Sequence, residues 1–154
     1  MPTNQIAQTL LALLDNQIKR TDAAFEGMTA EMFCDEPGGS CNSILGISRH
    51  LVGLRIFQQT LLGLPKAGKP DPKAIASFDE MFSMLQQEDR ALQEAIPRHP
   101  ADDWFATPPS PREGPWGDEP TIQRFVRPFN DFTNHLGAIR ALRRIMNSPA
   151  ERTQ

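Results

Sequence analysis

The sequence predicts an all-α protein, a bundle of four amphipathic helices. Four stretches repeat apolar residues at the i, i+3, i+4, i+7 spacing that lines one face of a helix. Segments rich in proline and glycine, residues that break helices, separate them. No stretch alternates apolar and polar residues in the manner of a strand.

The first helix runs from about Asn4 to Phe25, with Ile6, Leu10, Leu13, Leu14, Ile18 and Phe25 along one stripe. The second opens at Asn42 or Ser43, whose side chains can accept hydrogen bonds from the bare N–H groups of a first turn. It carries Ile47, His50, Leu51, Leu54, Phe57 and Leu61 on one broad core-facing side and ends near Gly63. The third begins at Ser77, where Ser-Phe-Asp-Glu80 has the form of a capping box. Phe78, Met81, Phe82, Leu85, Leu92 and Ile96 form its stripe, and Pro97 stops it. The fourth begins at Thr121 and shows Ile122, Phe125, Phe129, Phe132, Leu136, Ile139, Leu142 and Met146. Pro128 lies inside this period and predicts a kink near Arg124; the alternative is a helix that starts late, with Pro128 in its first turn.

The connections differ in kind. The first holds a short turn at Thr29–Phe33 and then Pro37-Gly-Gly-Ser40. The second, Leu64 to Ala76, is long enough to cross between helices that do not form a simple hairpin. The third, Pro97 to Pro120, is proline-rich and carries Trp104 and Trp116, which would pin it to the bundle or make it a lid.

At 154 residues the chain fits one domain, 1–154, with room for a real core. A formal charge of -3 and a pI near 5.6 give no electrostatic reason to expect nucleic acid. Arg140, Arg143 and Arg144 read as a solvated face that complements the C-terminal dipole of their own helix. No run reaches the ~18 apolar residues of a membrane span, and no signal peptide is evident, so a cytoplasmic protein is expected. There Cys34 and Cys41, which match no zinc or thioredoxin spacing, would be free thiols.

The chemistry concentrates in histidine. The chain has three, and two sit inside apolar helical patterns, where an unpartnered imidazole is costly. Asp131 and His135 are four residues apart and stack on one helical face. If His50 faces them, the three form a His/Asp/His set able to hold a divalent metal (Zn, Ni, Fe or Mn) with coordination positions to spare. The plain alternative is a hydrogen-bonded core histidine at position 50, with Asp131 paired to Arg127 or to an imidazole. His99 is expected to face solvent, and Glu88, Asp89 and Glu94 to form a solvated face.

The chain resembles the DinB/YfiT-like superfamily of four-helix-bundle metalloenzyme candidates. Ser43-Ile-Leu-Gly-Ile-Ser-Arg-His50-Leu51-Val52 looks like that family's polar helix opening followed by a His-Leu pair. Asp131-Phe-Thr-Asn-His135-Leu-Gly137-Ala138-Ile139 aligns with its His-x-x-x-His-x-Gly-Gln-Ile. His50 and His135 fall on two of the family's three ligand positions; Asp131 replaces the third and Ala138 replaces the glutamine. The resemblance implies up-down-down-up topology, with the second connection as the crossover, and frequent homodimers. It implies a metal-dependent hydrolase or thiol transferase acting on a small-molecule substrate. The two replacements favour the alternative of a metal-free, non-catalytic bundle used for ligand binding or dimeric interaction.

Overall fold

The computed structural model describes residues 2–36, 42–108 and 118–147. The described residues are all-helical, without a strand. Five α-helices follow in order: α1 Pro2–Phe25, α2 Ala30–Cys34, α3 Ile44–Leu61, α4 Phe78–Ala95 and α5 Thr121–Asn147. The expected short turn before the Pro-Gly-Gly-Ser segment is α2; that segment, Cys41 and Trp116 lie outside the described residues.

Local chemistry sets the boundaries. Ser43 Oγ accepts from Gly46 N at 3.0 Å and starts α3. Ser77 Oγ accepts from Glu80 N at 3.2 Å and starts α4. The Glu80 carboxylate reaches back to Ala76 N at 3.0 Å, one residue beyond its usual partner in a capping box. Gly63, at φ 80°, ends α3: Gly63 N donates to Thr60 O and Leu64 N to Gln59 O, both at 3.1 Å. That paired closure needs a left-handed residue, which glycine adopts without a Cβ clash. α5 runs through Pro128 without interruption, so the late-start alternative does not hold.

α3 is the central element, packed most extensively against α4 and α5, and α1 lies against α5. The apolar interior falls into two clusters. One gathers Phe33, Leu51, Met81, Leu85, Phe132 and Ile139. The other gathers Leu10, Leu14, Leu92, Trp104, Phe125 and Phe129. Each fully buried large side chain contributes about 1.5–3 kcal/mol relative to exposure. On three of the four long helices a buried polar residue stands between the two sets: Gln17 on α1, Arg55 on α3 and Asp89 on α4.

Several expectations need correction. Leu13 is 45% exposed, because Leu14 and not Leu13 continues the buried stripe from Leu10. Phe57 is 44% exposed, and the His50 side chain is 49% exposed. Both belong to one outward stripe, while Leu51 and Ile56 turn inward. Glu88 and Asp89 are buried, not solvated. Arg140 and Arg143 serve a different helix from their own. Arg143 Nη1 and Nη2 donate to Ala24 O and Glu26 O, both at 2.6 Å, and Arg140 to Arg20 O at 3.3 Å, closing the end of α1.

The long third connection is pinned where it is described. Trp104 is fully buried, 5.2 Å from the Phe125 ring. Thr121 donates from N and Oγ1 to Ala106 O at 2.9 and 3.0 Å. His99 is half-buried and not fully turned to solvent; its ring meets Trp104 edge-on at 4.5 Å, and its buried Nε2 has no hydrogen-bond partner among the described residues.

Candidate metal centre

His50 sits two turns into α3, and Asp131 and His135 sit mid-way along α5. The packing of those two helices brings the side chains together. His50 Nε2 lies 3.1 Å from Asp131 Oδ2, and His135 Nε2 lies 3.3 Å from Asp131 Oδ1. The two imidazoles meet edge to face, with centroids 4.8 Å apart. One ligand atom from each residue falls within 4.8 Å of the others. All three residues that sequence reasoning singled out therefore converge.

The surroundings are wet. The Asp131 side chain is 48% exposed and that of His135 27%. Neither imidazole is the buried core histidine of the plain alternative. The carboxylate is shared between the rings, one oxygen to each, while Arg127 forms its ion pair with Glu119. Two imidazole nitrogens and a carboxylate form a donor set that suits a borderline divalent ion, and their exposed flank leaves positions for water or substrate. Close approach of three such donors with solvent on one side fits a divalent metal.

A second polar cluster escaped sequence reasoning. Arg55, fully buried, donates from Nε to Asp89 Oδ1 at 2.7 Å and from Nη1 to Gln58 Oε1 at 3.0 Å. Its guanidinium lies over the Phe132 ring, 4.1 Å from the centroid. Gln58 Nε2 donates in turn to Phe125 O at 2.9 Å, one residue beyond the carbonyl that Pro128 leaves without its helical donor. Next to this pair, Glu88 Oε2 accepts from Gln59 Nε2 and from Lys69 Nζ at 2.6 Å. Burial holds Arg55 below its ordinary range and pushes Asp89 above the ordinary carboxylate range; attraction within the pair opposes both. An arginine at position 55 with two glutamines close behind it was the available signal, since a buried arginine requires a carboxylate partner.

No helix among the described residues is long and apolar enough to cross a membrane. No protein-family model matches this chain, and no curated protein matches it.

Proposed function

We propose that this chain is a DinB/YfiT-like four-helix bundle that binds one divalent metal through His50, Asp131 and His135. The convergence of two imidazole nitrogens and a carboxylate at one half-exposed place carries this reading. The order and lengths of α1, α3, α4 and α5 support an up-down-down-up arrangement, with 62–77 as its crossover. In this reading the protein is cytoplasmic and homodimeric, and acts as a metal-dependent hydrolase or thiol transferase on a small molecule. A bound ion would supply Lewis acidity at the open flank. This chain's own residues hold and orient: His50 from α3, Asp131 and His135 from α5.

The test is metal analysis of purified protein after exposure to zinc, nickel, iron or manganese, wild type beside His135→Ala. The expected result is about one ion per chain in the wild type, as one three-donor site predicts, and loss in the variant. Equal and negligible metal in both refutes the reading.

One observation favours a second reading. Asp131 already satisfies both imidazoles by itself, so the set is self-contained without an ion. The chain would then be a metal-free module for ligand binding or dimeric interaction. In that case Asp131→Ala alters thermal stability and leaves metal content unchanged.

A further inference from the structure

The segment between α3 and α4 is held back against α3. Arg49 donates from Nε and Nη2 to Ile75 O at 3.0 and 2.6 Å. Lys69 reaches from the segment to buried Glu88 at 2.6 Å. Ile75 is thereby fixed beside the start of α3, and Lys66 lies toward the helix end, where it lines a cavity together with Thr60. That cavity, about 400 Å³, lies between the segment and the outward stripe of α3. Its size suits a small molecule.

The lining is chemically uneven. Phe57, 44% exposed, lines the cavity together with Pro70 and Pro72 and gives it apolar surface. Two lysines line it, but Lys69 is neutralised by Glu88. The exposed Lys66 ammonium makes no ion pair among the described residues, so it is the cation left for a ligand. Asp71, one of whose oxygens accepts from Lys73 N at 2.9 Å, opposes a second anion near Pro72. At the other end Gly53 leaves open space where a Cβ would stand, with no atom within 4 Å. Gly53 follows His50 by three residues, about 4.5 Å of helical rise, so this end of the groove is the one nearer the histidine.

We propose that this groove binds a small monoanionic acid with an apolar chain, its anion on Lys66, its chain across Phe57 and the prolines, and its neutral end toward His50. That such an acid is the substrate rests on the metal-centre reading above; its binding does not.

Octanoate is the probe, titrated calorimetrically into the full chain, with octylamine as the same chain under opposite charge. Octanoate binds, and octylamine binds at least about tenfold more weakly, the size of one favourable charge contact. Lys66→Glu weakens octanoate by at least about tenfold. Gly53→Leu, whose side chain enters the open space, also weakens it. Thermal melts establish that both variants fold. Absence of octanoate binding, or wild-type binding by both variants, overturns the proposal. Zinc content measured on the same samples separates the two readings. Zinc without octanoate removes the groove and keeps the metal centre; octanoate in the expected pattern without zinc does the reverse.

Discussion

His50 and Arg55 stand five residues apart on α3, and each meets an aspartate from another helix, yet they occupy opposite physical worlds. Five residues turn a helix by about 140°, which carries one side chain out to solvent and the other into the interior. The Arg55 side chain is 0% exposed and that of Asp89 8%; those of His50 and Asp131 are 49% and 48% exposed. In the interior the pair is stitched to Gln58 and an aromatic ring, and desolvation opposes any freedom of charge. At the surface the donors pair with one another but stay partly exposed, and water can reach them. A paired aspartate is shut in the interior in one place and open to solvent in the other, and burial makes the difference.

The largest effect should come from the buried pair. Arg55→Ala or Asp89→Ala strands a charge in the interior and should cost about 3–5 kcal/mol, read by urea unfolding. Next comes the exposed set. Zinc at about a hundred times its dissociation constant should stabilise the wild type by about 2.7 kcal/mol and leave His50→Ala unmoved, read by thermal unfolding with and without the ion. Without metal, Asp131→Ala should cost no more than about 1 kcal/mol. A loss as large as that for Asp89 would abolish the contrast and make both clusters structural.

A third histidine gives the smallest and sharpest test of burial. Burial holds the His99 imidazole below the ordinary histidine range, against the pull of Asp103. The folded chain therefore favours the neutral ring, and the unfolded chain takes up the proton more readily. This contribution to stability is complete above about pH 6.5 and is lost as pH falls from there through the lowered folded value. His99→Gln should flatten that part of the acid limb of stability against pH, measured by urea unfolding at stepped pH.

Periodicity and capping made the long helices legible. Ser43 and Ser77 act as caps, and Thr121 opens α5 as its sequence predicts. The metal candidates were legible because histidine is scarce and a four-residue spacing fixes a common face. Periodicity could not tell which side of α3 turns outward, since both sides carry large apolar residues; His50 and Phe57 were misplaced together for that reason. Nor could it see that Glu88 and Asp89 face inward, because their partners Lys69 and Arg55 come from other parts of the chain. The use of Arg143 was hidden likewise: a guanidinium near the end of one helix looks the same whether it serves its own carbonyls or a neighbour's.

That last contact has a consequence for synthesis. Arg143 meets Ala24 across 119 positions of sequence. On the ribosome α1 emerges before α5, and although α4 and Trp104 can cover part of its apolar stripe, the carbonyls that Arg143 caps stay bare until α5 has cleared the exit tunnel. A contact so distant in sequence delays closure and prolongs exposure to aggregation. The end of α1 is finished by α5, so a nascent chain halted before residue 140 should be a client for chaperones.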